Sequence, residues 1–373
     1  MNPDQYFKIN DLWDLDKLKA HAEHHLVKVI TSPRFPGIVM LHYSEDAQWD
    51  KAWNTFNRMC RGLIVHLPTQ KVLAWPYSKF FNVGEMPETS YENLSSLGEF
   101  STSEKLDGSM ILVYQDPNTG EIHCTSKGSL DSEHGYYATS ILPESVKKIE
   151  LLNKYTLIFE LISKKFQIVI DYSRKEGYPE SLYLIGARDK VSGKLLTYAE
   201  VQKLATLLNL PTFKTYSFDS LDQLIETVRG LSILQEGFVL RFSEDLLVKV
   251  KGNAYLQMHR FISHLSDRNL LDAVANNKAD ELITLCPEEY KDDVKIKISY
   301  FEKRVVNLQE ECYSKYIQAP KESRKEFAMW TNQNVEKYLK GFLFQLFDKK
   351  DLDRKHICKV IEEVEHINGQ TKI

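Results

Sequence analysis

The sequence predicts an α+β chain in two parts, a strand-rich part over residues 1–258 and an all-helical part over residues 259–373. Three observations carry this. Up to about residue 252, apolar residues alternate or run together in short stretches bounded by Gly, Pro, Asn and Asp, the mark of strands and hairpins. From about Arg260 the apolar period changes to 3.6 and strand signals disappear. The length of 373 residues also exceeds what one hydrophobic core usually spans, which places a boundary near residues 252–262.

Composition narrows the class. With 43% hydrophobic and 27% charged residues the chain reads as globular. No apolar run approaches the roughly 18 residues of a membrane span, and Met1-Asn2-Pro3-Asp4-Gln5 lacks the basic and apolar regions of a signal peptide. A cytoplasmic location without a membrane partner is expected. Five widely spaced cysteines with no C-x-x-C pair indicate neither a disulfide framework nor a zinc site, and are read as reduced. A net charge of −4 argues against coating nucleic acid by bulk electrostatics, so any phosphate binding must be local.

In chain order, residues 11–28 have helical spacing and carry His21, His24 and His25. No carboxylate or cysteine cluster joins these histidines, so they read as a solvated face rather than a metal site. Residues 37–43 read as a strand. Arg61-Gly62 opens another over 63–67, which turns at 68–70 into 71–75. Ser78-Lys79-Phe80-Phe81-Asn82 sets a cation beside two aromatics, one of which is expected in the core. Alone, Arg61 and Lys79 read equally as surface charges.

The chain is organised around Ser103-Glu104-Lys105-Leu106-Asp107-Gly108-Ser109, a lysine between a polar strand end and a tight turn. Lys105 is a candidate nucleophile towards phosphate. A lysine amine attacks only when neutral, so its site must lower a pKa that starts near ~10.4. A second cation at about 6 Å and an effective dielectric near 20 contributes roughly 2.8 kcal/mol, about 2 pKa units. Other cations and a metal ion should therefore converge on it. Gly108 lets backbone approach phosphate, and Asp107 and Ser109 hydrogen-bond in the turn. The bland alternative, an exposed hairpin turn, is decided against only if the remaining chain supplies partners.

It supplies several. Residues 110–115 and 122–126 form a hairpin that returns Ser126-Lys127-Gly128-Ser129 beside Lys105. Helices are read at 131–142 and 144–152. The apolar strand 155–162 is interrupted by one charge, Glu160, which either points to water or is paired or metal-bound. Strands at 166–170 and 182–188 follow, then amphipathic helices at 197–208 and 219–229. Glu236-Gly237 opens a second apolar strand, and Lys249-Val250-Lys251 projects two lysines from one face of its antiparallel partner, towards Glu236. Exposed lysines on a sheet edge would look the same. Beyond the boundary, helices are expected at 269–286, 288–317 (after Pro287), 321–331, 333–347 and 351–367. Basic groups at 321–325 and 349–355 are interleaved with acids and read as solvated faces.

The order of these pieces resembles the covalent nucleotidyltransferase superfamily of RNA ligases, DNA ligases and capping enzymes. The matching motifs are Lys105 to Gly108, Glu160, Glu236-Gly237 and Lys249-Val250-Lys251, at separations of 55, 76 and 13 residues. Within it the chain is more similar to the phage RNA ligase 1, tRNA-repair type, through Cys60-Arg61-Gly62, Lys79-Phe80-Phe81-Asn82 and Ser126-Lys127-Gly128-Ser129. The resemblance covers roughly residues 55–262. It implies an antiparallel-sheet adenylyltransferase domain followed by a helical RNA-specificity domain. It further implies ATP and Mg²⁺, or Mn²⁺ in its place, an RNA partner with tRNA broken in the anticodon loop as one candidate, and an upstream end-healing kinase/phosphatase. Lys105 would carry AMP. Arg61, Lys79, Phe81, Asp107, Gly108, Lys127, Glu160, Glu236, Gly237, Lys249 and Lys251 would bind nucleotide, Lys249 and Lys251 with a share in catalysis, and Glu160 and Glu236 would hold the metal. Three alternatives stay open: a GTP-using capping enzyme, a DNA ligase, and a non-catalytic RNA-binding module. The helical C-terminal part speaks against the first two, and the intact lysine and strand acids against the third.

Overall fold

The computed structural model describes residues 2–243, 246–264, 266–286 and 291–365. The chain divides into two compact units, Met1–Leu256 and Gln257–Ile373.

Three sheets build the first unit. Strands β1 to β4 (Val27–Thr31, Ile38–Tyr43, Arg61–His66 and Lys71–Ala74) form an antiparallel sheet in sequence order. After β5 (Phe81–Asn82) and β6 (Ser101–Glu104) comes the hairpin of β7 (Ser109–Gln115) and β8 (Ile122–Ser126), which joins β9 (Tyr155–Ile162) and β10 (Ser181–Asp189) in the order β10-β9-β7-β8. The third sheet has the order β11-β6-β12-β13-β5, with β11 at Thr215–Tyr216, β12 at Gly237–Arg241 and β13 at Leu247–Lys251. All pairs are antiparallel except β13 with β5.

Strands β2, β3, β7 and β9 read as apolar runs because both of their faces are covered. Val39, Leu41, Leu63 and Val65 pack with Phe7, Leu18 and Ala22 of the N-terminal helices. Their alternates Ile38, Met40 and Ile64 meet Leu112 and Ile158 of the second sheet. That sheet's far face, with Ile111, Val113, Leu157, Phe159 and Leu161, packs against Ala138, Val201 and Ala205 of the helices Glu133–Ser140 and Tyr198–Leu208. Each such side chain contributes about 1.5–3 kcal/mol of burial. In the third sheet Phe238, Leu240 and Val248 bury against Leu94, Leu221 and Val228. Period two then leaves Ser103, Val239, Lys249 and Lys251 on the opposite face.

Several sequence expectations are corrected. Residues 166–170 are not a strand, because the amides of Val169 and Ile170 both donate to Asp107 Oδ2 instead of to a ladder. The helix expected over 11–28 is Leu15–His24. It stops where Leu26 takes a φ of 58°, and β1 follows. Residues 144–146 form a turn and 147–148 are irregular ahead of the helix Ile149–Lys154. His24 is exposed, whereas His21 bonds the Tyr6 hydroxyl and packs on Phe56. The helix Asn253–His264 was not foreseen.

In the second unit the helix expected over 269–286 is two, Asp267–Ala275 and Ala279–Leu285, broken where Asn277 adopts φ 55°. The helix expected over 333–347 is interrupted: residues 333–334 end the helix Arg324–Asn334, Val335 is extended, and helix resumes only at Lys340–Phe347. The long helix Lys291–Gln318 buries Val294, Ile298, Phe301, Val305, Leu308 and Cys312, alternate steps of four and three that hold one face against the helical core. The helix Arg354–Val364 closes that core through Ile357 and Ile361. Pro287 and the ends of the expected helices at 288–290 and 366–367 lie outside the described residues.

Candidate active site

Lys105-Leu106-Asp107-Gly108 crosses from β6 in the third sheet to β7 in the second. Close backbone contacts hold it at both ends. The Lys105 amide donates to Gly237 O at 2.8 Å, and the Gly108 amide donates to Glu160 Oε1 at 3.1 Å. A Cβ on Gly108 would lie 2.4 Å from Leu161 O, and one on Gly237, at φ 144°, would lie 2.0 Å from Val250 O. Both glycines are therefore set by packing, whatever else they do.

The register of the third sheet explains how the lysines converge. Ser103, Val239 and Lys249 form one row across β6, β12 and β13, and Gly237 lies opposite Lys251. Lys105 Nζ and Lys251 Nζ meet the same carboxylate oxygen, Glu236 Oε1, at 2.8 and 2.9 Å. Glu236 is 2% exposed, and its second oxygen is buried without a hydrogen-bond partner among the described residues.

These groups adjoin a cavity of about 240 Å³. Its polar lining includes Arg61, Lys105, Lys127, Glu160, Lys249 and Lys251, six of the residues singled out from the sequence, with Gly108 beside them, and also Ser103, Glu104, Tyr77 and Tyr198. Its apolar lining includes Phe80, Ile185, Phe213, Val239 and Leu247. Parity places Glu160 here, since it shares a face of β9 with Ile158, opposite Leu157, Phe159 and Leu161.

Charge in the cavity is uneven. Burial pushes the Lys105 ammonium down, but Glu236, Glu160 and Asp107 outweigh it and hold its pKa above the ordinary value. This corrects the expectation that converging cations lower it. Burial pushes the Glu160 carboxyl up to about 7, opposed by Lys105 and reinforced by Glu236 and Asp107. Burial, aided by Arg61, lowers Lys127 to about 8. Burial, aided by Lys79, Lys105, Arg61 and Lys251, lowers Lys249 to about 7.

Five expected nucleotide contacts are not in this lining: Glu236 and Gly237, both buried, and three that lie elsewhere. Asp107 is turned away from this cavity. Its Oδ2 accepts from the Val169 and Ile170 amides and its Oδ1 from the Tyr255 hydroxyl, all at 2.8 Å, while its own amide donates to Tyr172 Oη at 2.7 Å. It anchors the loop. Phe81 is 2% exposed, because pairing with Val248 puts it on the core side, and Phe80 lines the cavity instead. Lys79 sits outside the lining, its Nζ between the rings of Tyr43, Trp53 and Phe81 at 5.2, 4.9 and 5.5 Å.

Sequence reasoning missed Tyr77 and Ile185. A bulge between Leu184 and Gly186 in β10 is held by the Tyr77 hydroxyl, which donates to Ile185 O at 2.5 Å. A Cβ at Gly186 would lie 2.1 Å from that hydroxyl, so the glycine inside an apolar strand was the available signal. Glu104 was missed too: it accepts from the Lys214 amide at 3.0 Å and the Tyr178 hydroxyl at 2.6 Å. Among the described residues no three His, Cys, Asp or Glu side chains are grouped to hold a metal, and no helix is long and apolar enough to cross a membrane.

Residues 59–264 match the sequence model of the family described as RNA ligase. The chain is 31% identical over 239 residues to a protein of Thermovibrio ammonificans provisionally named an RNA ligase, covering 60% of each. It is 28% identical over 255 residues to one of Autographa californica nuclear polyhedrosis virus provisionally named a bifunctional polynucleotide kinase/RNA ligase, covering 61% of this chain and 35% of that one. An RNA ligase of Rhodothermus phage RM378 is 23% identical over 383 residues, 84% of this chain and 83% of the phage protein. Among solved structures, a mutant of a Naegleria gruberi RNA ligase with ATP and Mn is 19% identical over 50% of this chain and 58% of that chain, at a TM-score of 0.39. The chain thus spans 60% and 35% of the length of the first two relatives.

Proposed function

The chain belongs to the RNA ligase family, and from that premise we propose that it is an ATP-dependent enzyme that joins a 5′-phosphate to a 3′-hydroxyl on RNA through AMP carried on Lys105. One observation carries the reading: the Lys105 and Lys251 ammonium groups share one buried carboxylate beside a cavity lined by three further cations, Arg61, Lys127 and Lys249.

Neutral Lys105 Nζ attacks the α-phosphate of ATP. An N–P bond forms, the bond to the β-phosphate oxygen breaks, and pyrophosphate leaves. Glu236 Oε1, 2.8 Å away, is the acceptor positioned to take the proton the amine must lose. The AMP then passes to an RNA 5′-phosphate, freeing the lysine. A 3′-hydroxyl attacks that activated phosphate and expels AMP. Arg61, Lys127, Lys249 and Lys251 are cations already in place around the negative charge of the transferring and leaving phosphates. Lys79 acts from outside this lining, through its charge. Ile185, Val239 and Phe80 offer apolar surface for the base.

The donors fit a magnesium-like ion. Glu236 Oε2 is buried and unpartnered, Glu160 is a second carboxylate in the same electrostatic network, and such an ion needs only one or two carboxylates when phosphates complete its shell. When bound, it would supply positive charge to the phosphates and favour the neutral form of the neighbouring amine. The helical unit is read as the RNA-specificity domain, the setting as cytoplasmic RNA repair, with broken tRNA as a candidate substrate. A kinase/phosphatase that prepares the ends would act upstream.

Incubation with ATP radiolabelled at the α-phosphate should leave covalent label on the wild-type protein through denaturing electrophoresis and none on Lys105→Ala. Label of wild-type intensity on that variant would remove Lys105 as nucleophile.

A further inference from the structure

A second cavity, of about 440 Å³, lies on the other side of the nucleophile loop and is used by no step above. Its wall is the segment between β9 and β10, and it meets the active site twice. Asp107 lines it, with Val169 and Ile170 clamped onto that carboxylate. Strand β9, which carries Glu160 into the first cavity, delivers Ser163 to this one. At about 3.3 Å per residue, Ser163 lies about 10 Å beyond Glu160, close enough for one RNA strand to reach both cavities.

The lining combines the chemistries that a ribonucleotide requires. Lys164 is exposed, and Lys175 is ion-paired at 3.8 Å with Glu104, its Nζ lying 4.2 Å from the centre of the Tyr178 ring. Lys164 is open to a phosphate, and at Lys175 a phosphate would compete with Glu104. Phe166, which stacks on His134, presents aromatic surface of the kind on which bases stack, while Tyr172 lines the cavity but is 7% exposed. Asp171 and Glu180 are acceptors for ribose hydroxyls, the groups that mark RNA.

We propose that this second cavity holds a ribonucleotide of the RNA strand, a few positions from the end being joined, with its phosphate at Lys164 and Lys175 and its base against Phe166. The inference rests on the RNA-ligase reading for the identity of the strand. Because Asp107 ties the cavity wall to the loop that carries Lys105, occupancy there bears directly on the nucleophile's surroundings.

The test measures binding of a fluorescent, 5′-phosphorylated eight-nucleotide RNA to the full chain without ATP. Lys164→Glu should raise Kd about tenfold or more. Phe166→Leu, which keeps apolar volume beside His134, should raise it several-fold. Labelling by ATP within about twofold of wild type in both variants shows the first cavity intact. Unchanged RNA affinity in both would overturn the proposal, as would an equal loss of free AMP binding in Lys164→Glu, since the cavity would then take mononucleotides. A wild-type protein that binds RNA through this cavity yet takes no label would overturn the ligase reading and leave this one standing.

Discussion

Of the four lysines that line the candidate active-site cavity, Lys105 and Lys251 differ from Lys127 and Lys249 in one respect. The first two share Glu236; among the described residues the second two have no carboxylate at ion-pair distance. The result is a divided site. Carboxylates hold the Lys105 ammonium above its ordinary pKa, while burial among cations pulls Lys127 and Lys249 down to about 8 and about 7. Binding a polyanion should act on the two pairs differently. It supplies the missing counter-charge to Lys127 and Lys249, but it competes with Glu236 for Lys105 and Lys251.

Removing the shared carboxylate should have the largest effect. Glu236→Ala leaves two ammonium groups unpaired in a buried site, and denaturant unfolding should show a loss of about 3–5 kcal/mol. A loss below about 1 kcal/mol would mean that water already screens the pair. Lys249→Ala should retain the fold and lower the rate of ATP labelling about a hundredfold, roughly 2.7 kcal/mol of lost phosphate stabilisation. An unchanged rate would reduce it to an edge-strand charge.

The next effect is on pH dependence. At pH 6 both low-pKa lysines are charged before ATP arrives; at pH 8 Lys249 is mostly neutral and Lys127 half so. Raising both pKa values on binding then draws in about 1.4 protons at pH 8 and almost none at pH 6, and affinity falls about tenfold or more across that interval. Calorimetry in two buffers of different ionisation enthalpy reads this directly, and the Lys127→Ala, Lys249→Ala double variant should reduce the uptake to what Glu160, raised to about 7 in the same cavity, contributes. The smallest effect is on stability. A lysine with a depressed folded-state pKa destabilises the fold fully below about pH 7, and the penalty fades as pH rises towards its unfolded value. Lys249→Ala should therefore gain stability over wild type at pH 6–7 and lose that advantage by pH 10.

Much of the fold was legible where one local rule governs. The hairpin β7–β8 and the β12–β13 pair follow from alternation and turns. The strand over residues 166–170 failed because an apolar run looks the same whether its amides bond a neighbouring strand or, as here, one aspartate. The misplacement of Phe81 has a similar origin. Adjacent strand residues point to opposite faces, and only the pairing of β5 with β13 tells which face is the core.

The sequence by itself put Lys249 and Lys251 on one face of their strand and Glu160 on the face of its own strand opposite Leu157, Phe159 and Leu161, because a strand has a period of two. The tertiary structure alone decided their meeting, its charge state and the roles of its neighbours. Glu236 came to serve two lysines, Asp107 was turned into an anchor, and Tyr77 came to hold the bulge that carries Ile185. Parity is local and written in the order of residues, whereas distance, burial and the sharing of a counter-charge arise only when three sheets close around one space.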